Sequence, residues 1–255
     1  MKPDFDDERA FGGLRRLYGA GGYTRVRQAR VAVVGVGGVG SWAVEALARS
    51  GVAALVLFDL DHVSESNINR QLQATTTSLG QAKVQALRER IVLIHPGCEV
   101  HAVEAFVTPE NWPNILPLSV DAVIDACDQS AAKRALAAWA LGSATPFVCV
   151  GAAGGKQQAT RVAAADLAMT THDPLLAGLR QRLRRDGLAP RQGPIGLRCI
   201  YSDESVQAPL PALEGAACEP ARADLSCHGY GSSVVVTATF GMAAAGECIR
   251  LLLEN

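Results

Sequence analysis

Five charged residues in the first half of the chain have types and spacing that suit the handling of a polyphosphate: Asp59, Asp61, Arg70, Lys83 and Asp128. Cleavage of ATP between its α and β phosphates needs cations on the departing pyrophosphate and a carboxylate for the metal ion. We therefore interpret Arg70, Lys83 and Asp128 as catalytic residues, with Asp128 as the ligand of Mg²⁺. Hydride transfer to a nicotinamide leaves the pyrophosphate untouched and needs no such charges.

Arg70 and Lys83 lie in two consecutive segments that suit nucleotide binding. The polar stretch 62–78 is rich in Ser, Thr and Asn, which predicts a loop rather than a core helix. Within it we interpret Asn67, Asn69, Arg70 and Gln71 as cofactor-binding residues. Lys83 is predicted in the first turn of the next helix, where a cation opposes the helix dipole, so we expect an anion beside it.

A glycine-rich turn at 31–40, VAVVGVGGVG, is predicted to hold the nucleotide. Its continuous apolar run is typical of a buried parallel strand. Gly35 would make the tight turn, Gly37 and Gly38 would let the backbone approach a phosphate, and Gly40 would let the following helix pack closely. The amino end of that helix would then point its free amides at the phosphate.

The second apolar run, 54–58, ends at Asp59, which lies 19 residues after Gly40. That order is typical of a βαβ unit whose carboxylate binds the ribose, and Asp61 repeats the acid on the same face. We therefore assign both aspartates to the nucleotide site.

The alternation of apolar runs and helical patterns predicts an α/β chain with a Rossmann-like, mainly parallel sheet flanked by helices. Strands are expected at 31–34, 54–58, 99–103, 120–125, 147–150 and 158–166, and helices at 41–50, 79–95, 130–141, 174–185 and from 229–233 to 254. We expect one domain over 1–255, with an arm at 1–29 outside the core, a nucleotide-binding core at 30–155 and a less regular substrate-side extension at 156–255. The long stretch 186–226 shows little periodicity and is expected to be irregular.

Composition excludes several classes. The net charge is −1 and the pI about 6.5, so no global field recruits nucleic acid or membrane, and any polyanion must meet a local patch. The seven cysteines lie at least nine residues apart, so no C-x-x-C supports a structural zinc site, and their odd number without a signal peptide indicates the cytoplasm. The apolar segment 234–253 contains Glu247 and Arg250 and is expected to be a buried or interface helix rather than a membrane span.

The motif set resembles the ThiF/MoeB/HesA family of ubiquitin-activating-type adenylating enzymes. It consists of G-x-G-G-x-G, D-x-D, N-x-N-R-Q, a downstream lysine and D-x-x-D at 125–128. Within that family the chain is most similar to the branch that dehydrates threonylcarbamoyladenosine in tRNA. Further likeness lies at 11–13, 16–19, 37–42, 45–49, 106–109, 173–175, 179–180 and 237–241.

The resemblance implies a ThiF/MoeB-type adenylating fold, ATP and Mg²⁺ as cofactors, and tRNA carrying the modified adenosine as substrate. The substrate carboxylate would attack ATP to form an acyl adenylate, and its own carbamoyl group would close on the activated carbonyl and expel AMP. The N-terminal arm and the small-residue C-terminal helix are typical of interface material, so we expect a homodimer. The resemblance implies an N-terminal arginine that reaches the neighbouring subunit's ATP, and because Gly12-Gly13 stands where the carrier activators have N-R-Q, that residue could be Arg9 or Arg16. A cysteine desulfurase or sulfur-acceptor protein is a further expected partner.

Alternatives stay open at this point. The chain could activate a ubiquitin-like sulfur carrier, act as an NAD-dependent oxidoreductase, or serve as a non-catalytic nucleotide-binding scaffold in a sulfur relay. Cys227 could be a sulfur acceptor or an inert thiol, and a role for Cys199 is equally open. The arginines at 180–185 could form a patch for tRNA phosphates or a solvated helix face.

Overall fold

The computed structural model describes residues 5–209 and 230–254. The described helices are α1 (Asp7–Phe11), α2 (Gly13–Gln28), α3 (Gly40–Arg49), α4 (Lys83–Ile94), α5 (Ser130–Gly142), α6 (Pro174–Arg185) and α7 (Val234–Glu254). The strands are β1 (Arg30–Val34), β2 (Ala54–Phe58), β3 (Glu99–Val103), β4 (Ala122–Asp125), β5 (Phe147–Val150), β6 (Val162–Asp166) and β7 (Arg198–Ser202).

These strands form one sheet in the order β3-β2-β1-β4-β5-β7-β6. All neighbouring pairs are parallel except β6 with β7, so the predicted mainly parallel sheet is confirmed. The chain goes from β1 outward to β2 and β3, and then returns to pair β4 with the other side of β1. The carboxyl ends of β1 and β4 therefore flank a topological switch point, the position where open α/β sheets bind ligands.

Side chains alternate between two apolar layers because successive residues of a strand point to opposite faces. On β1, Val31 and Val33 join the core formed with α3, α4 and α7, whereas Ala32 and Val34 join the core formed with α5 and α6. Both faces of the central strands are thus covered, which fixes the strand ends rigidly enough to position a site.

The prediction that residues 1–29 form an arm outside the core is wrong for the described part of that segment. Phe11, Tyr23 and Val26 are buried, and Val26 belongs to the core cluster. Tyr23 and Val26 lie three residues apart on α2, so they share one helix face. The many charges of the segment concealed this short apolar stripe.

The prediction of an irregular 186–226 is also wrong in part, because β7 lies within it. Cys199 and Ile200 are fully buried between β5 and β6. This strand is only five residues long and is flanked by Pro and Gly, so its short apolar run cannot be distinguished from an irregular segment by hydrophobic periodicity. Residues 210–226 lie outside the described part of the chain. The strand expected at 158–166 begins later, at Val162.

Helix α7 is long and apolar enough, by length and composition, to cross a membrane. Its inner face nevertheless packs on α3 and on the sheet, with Phe240, Ala244 and Cys248 fully buried. A Cβ on Gly241 would lie 2.6 Å from Cβ of Trp42, so the two helices touch almost backbone to backbone. This is the burial expected of a core helix.

Candidate active site

The glycine loop lies at the switch point with its backbone stacked against the loop after β4. Gly35 has φ +82°, and a Cβ there would lie 3.0 Å from the carbonyl carbon of Ala126. A Cβ on Gly40 would overlap the carbonyl oxygen of Gly35, which gives Gly40 its predicted role in close helix packing. Gly35, Gly37 and Gly38 line a cavity of about 250 Å³, whereas Gly40 does not reach the cavity wall.

Asp59, at the end of β2, is buried beside the glycine loop. Its carboxylate accepts hydrogen bonds from the backbone amides of Val36 (2.9 Å) and Asp61 (3.0 Å). Burial raises the pKa of Asp59, while nearby Lys83 and the two amides oppose that rise. The side chain therefore fixes the loop and still lines the cavity, where remaining lone pairs can accept from a ribose hydroxyl.

Lys83 lies in the first turn of α4, as expected, although the helix begins at Lys83 itself rather than at 79, and its side chain is buried. Its Nζ lies 2.7 Å from Oδ2 of Asp61, and both residues line the cavity. Asp61 is thus the anion that offsets the unfavourable position of a cation at a helix amino end. Because the ammonium group has three donors, it can bind a phosphate while keeping this ion pair.

Arg70 lines the cavity with a guanidinium held from one side. Its Nη1 donates to the carbonyl oxygen of Ser66 (2.6 Å) and to Oδ1 of Asn69 (3.0 Å). Over residues 5–209 and 230–254, no hydrogen-bond partner contacts its Nε or Nη2. The side chain is thereby oriented with a free edge, the arrangement that binds phosphate oxygens in bidentate fashion.

The other loop residues predicted to bind the nucleotide divide into two groups. Gln71 lines the cavity. Asn67 and Asn69 do not reach its wall: Oδ1 of Asn67 caps the short turn at Glu65–Asn67, and Nδ2 of Asn69 donates to the carbonyl oxygen of Ser232. The structure places both asparagines as supports of the loop that carries Arg70.

Asp128 lies in the loop after β4, is exposed and lines the cavity. Across the described residues, no cluster of three or more His, Cys, Asp or Glu side chains is arranged to hold a metal ion. A single carboxylate open to the cavity nevertheless fits Mg²⁺, which is commonly held by one or two carboxylates together with substrate phosphates and water.

Asp125 belongs to the D-x-x-D motif, but the sequence pattern neither assigns it a role nor indicates that Lys133 is its partner. Nζ of Lys133 lies 2.7 Å from Oδ2 of Asp125 in a fully buried ion pair, and it also donates to the carbonyl oxygen of Val150. Burial opposes the charge on Lys133, but Asp125 outweighs it and raises the Lys133 pKa. Asp125 Oδ1 accepts from the Cys127 amide, so this pair ties the Asp128 loop to β5.

The outer wall of the cavity was also missed as a site. It is formed by Phe106 and Val107 after β3, by 151–153 after β5, by Leu175 and by Thr237. The amide of Ala152 is oriented by Oδ2 of Asp173, which also caps α6. Each of these residues follows a strand or lies in the first turn of a helix. The signal that could have identified them is the predicted topology, because open α/β sheets bind ligands at the carboxyl ends of their strands.

Some sequence candidates lie away from the cavity. Arg9 and Arg16 are exposed and do not line it. Cys199 is buried within β7. Cys227 lies outside the residues that the structure describes.

Comparison with known proteins agrees with this geometry. The family model described as "ThiF family" matches residues 12–255. The chain belongs to the ThiF family. This family member is 40% identical to tRNA threonylcarbamoyladenosine dehydratase of Escherichia coli K12 over 252 residues, which covers 96% of this chain and 94% of the relative.

Solved structures of the Escherichia coli dehydratase, TcdA, superpose closely on this ThiF-family chain. A complex with ATP gives a TM-score of 0.87 at 38% identity and covers 98% of this chain and 96% of the other. A complex with AMP gives a TM-score of 0.86 at the same identity and coverage. The adenylating fold type predicted from the motifs is confirmed.

Proposed function

We propose that this chain is an ATP-dependent tRNA threonylcarbamoyladenosine dehydratase. The observation that carries the proposal is the clustering of Arg70, Lys83 and Asp128 around a glycine-loop cavity in a chain so similar to the Escherichia coli enzyme. The names of the relatives supply the substrate class, and the cavity supplies a reason for each charged side chain. A nicotinamide site would leave Arg70 and Lys83 without a function.

We infer the following roles. Gly35, Gly37 and Gly38 form the backbone cradle of the triphosphate, and Asp59 accepts from the ribose. Arg70 and Lys83 carry the charge that develops on the departing pyrophosphate. These two cations approach from the loop and from the amino end of α4, so they face the phosphates from two sides.

Asp128 would hold Mg²⁺ directly or through water. When bound, the ion withdraws charge from the phosphate oxygens, which adds to the effect of the two basic side chains. The buried pair Asp125–Lys133 keeps the loop of Asp128 in place.

The chemistry follows from this arrangement. The carboxylate of the threonylcarbamoyl group attacks the α-phosphorus, so that pyrophosphate leaves and an acyl adenylate forms. The carbamoyl group of the same substituent then closes on the activated carbonyl and expels AMP. Because the nucleophile is already tethered, proximity accounts for much of the second step, and the nucleoside loses one water overall.

The test is an incubation of the purified chain with ATP, Mg²⁺ and tRNA that carries threonylcarbamoyladenosine. We expect AMP and dehydrated nucleoside in equal amounts, measured by chromatography and mass spectrometry. The Arg70→Ala variant should lose about 10²–10³-fold in rate, as for removal of a single charge-stabilising donor. Arg88→Ala is the matched control, because Arg88 is an exposed arginine on α4 away from the cavity. Absence of AMP and of dehydration with the wild-type chain would refute the proposal.

We further propose that residues 1–255 act as a single domain and assemble as a homodimer. Apolar side chains on the outer surface support this: Leu17 on α2, and Val235 and Met242 on α7, are exposed. Light scattering would give the oligomeric state. Mixing an Arg9→Ala or Arg16→Ala chain with a Lys83→Ala chain should restore part of the activity if that arginine acts across the interface. A cytoplasmic location and a cysteine desulfurase partner stay predictions.

A further inference from the structure

A cluster of arginines lies on α5, α6 and the turn after α6. We call it the basic patch, and it consists of Arg134, Arg182, Arg184, Arg185 and Arg191. Between residues 174 and 197 the only acid is Asp186, and residues 129–146 contain none. Asp186 is shared: its carboxylate lies 3.2 Å from Nε of Arg134 and 3.4 Å from Nε of Arg185.

The fold does not explain this concentration of charge. Leu176, Leu179 and Leu183 form the buried stripe of α6, so the arginines occupy its outer faces. Cations near a helix carboxyl end are favourable by about 0.3–1 kcal/mol each, which accounts for part of the α6 set. It does not account for Arg134 near the amino end of α5 or for Arg191 beyond the turn.

One arginine of α6 is a structural residue and does not belong to the patch. Nη1 of Arg180 donates to the carbonyl oxygens of Leu167 and Thr170, which fixes the turn before α6. By contrast, Arg185 has a largely exposed side chain with one long ion pair. Within the described part of the chain, the guanidinium of Arg184 donates only through Nε, to the carbonyl oxygen of Pro190 at 3.1 Å. The guanidinium of Arg182 contacts no hydrogen-bonding or ion-pair partner in the described ranges 5–209 and 230–254.

The basic patch begins beside the cavity. Ala132 lines the cavity and precedes Arg134 by two residues, and Leu175 lines it from the first turn of α6. At 1.5 Å per residue, Arg182 and Arg185 lie about 10–15 Å from Leu175 along the helix. A nucleic-acid strand carries one phosphate per roughly 3.4 Å of duplex, so about three to four phosphates separate a nucleotide in the cavity from the backbone beside these arginines.

We propose that the basic patch binds the phosphate backbone of the tRNA whose modified adenosine enters the cavity. This inference rests on the proposed function and locates the docking surface of its substrate. The net charge of −1 gives no global attraction for a polyanion. A concentrated local patch is therefore the means by which this chain holds tRNA.

The test is a triple variant, Arg182→Gln, Arg184→Gln and Arg185→Gln, compared with the wild-type chain for binding of tRNA carrying threonylcarbamoyladenosine. We expect at least a 10-fold weaker tRNA affinity at 0.15 M salt and an equal rise in KM for tRNA. The slope of log affinity against log salt should fall by about 2. Affinity for ATP should change less than twofold, because none of these residues lines the cavity.

A second triple variant, Arg15→Gln, Arg88→Gln and Arg250→Gln, is the matched control. It changes the net charge by the same amount on α2, α4 and α7, and it should bind tRNA like the wild-type chain. If the first triple variant does not fold, the pair Arg134→Gln and Arg191→Gln tests the same surface from other elements.

The outcomes separate the two proposals. Suppose that the wild-type chain binds and dehydrates the tRNA and that both patch variants do so equally well. That result would overturn the docking surface alone. Equal weakening by the control triple variant would also overturn it, since total charge would then suffice. A wild-type chain that neither binds nor dehydrates the tRNA would overturn the proposed function and the docking surface together.

Discussion

The buried ion pair between Asp125 and Lys133 should be strongly coupled, because both side chains are at most 1% exposed. Removal of one partner leaves a buried charge without compensation, which costs about 3–5 kcal/mol. Lys133→Met removes the cation at similar length, and Asp125→Asn removes the anion while its oxygen can still accept from the Cys127 amide. Each single variant should therefore lose about 3–5 kcal/mol of unfolding free energy.

The double variant, Asp125→Asn with Lys133→Met, should be far less destabilised than the sum of the two. No charge is then buried, and the main loss is the hydrogen bond to the Val150 carbonyl, which costs about 1–3 kcal/mol. The coupling energy should consequently exceed about 2 kcal/mol.

Urea unfolding at pH 7.5 measures these quantities, and the slope against denaturant should stay unchanged. If a single variant is too unstable to purify, we take that as the expected large loss of stability only if the double variant is recovered in folded form. Single costs below about 1 kcal/mol, or additive costs in the double variant, would refute the reasoning.

Three further predictions concern stability and thiol reactivity. Burial of Glu45 opposes its ionisation, but hydrogen bonds led by Arg90 outweigh burial and lower its pKa. This stability is present above the unfolded pKa of about 4.5 and is lost as pH falls through the lower folded value. Urea titrations from pH 3 to 7 should thus show a steeper acid loss for the wild type than for Glu45→Gln, which should be less stable at pH 7 by about 1.5–3 kcal/mol. On α7, Gly241→Ala should cost about 1–3 kcal/mol because its Cβ would meet α3, whereas Gly246→Ala has open space and should gain about 0.5–1 kcal/mol; thermal unfolding compares them, and equal effects would contradict the packing argument. Burial raises the pKa of Cys248 to about 12, so iodoacetamide at pH 8 should label it only after unfolding, as peptide mass mapping would show.

Local patterns predicted much of the fold and the charged inner wall of the site. The runs before Gly35, Asp59 and Asp125 are continuous and apolar because parallel strands are covered on both faces, and that composition is recognisable from the sequence alone. The spacing of the glycines likewise predicts where the backbone must pack closely, since a Cβ on Gly40 would overlap the carbonyl oxygen of Gly35. The resemblance to the family added the identity of the ligand.

Tertiary packing decided the rest. Lys133, eight residues after Asp125, is its partner only because the first turn of α5 lies over the end of β4. Asn67 and Asn69 are residue types that often bind ligands. In the folded chain their side chains instead hydrogen-bond to the backbone, Asn67 within its own loop and Asn69 at Ser232, so both support the structure of the loop. A single sequence determines which residues can form strands, turns and charges, since these depend on neighbours in the chain. Which polar group meets which depends on distances between segments far apart in sequence, and only the folded structure sets those distances.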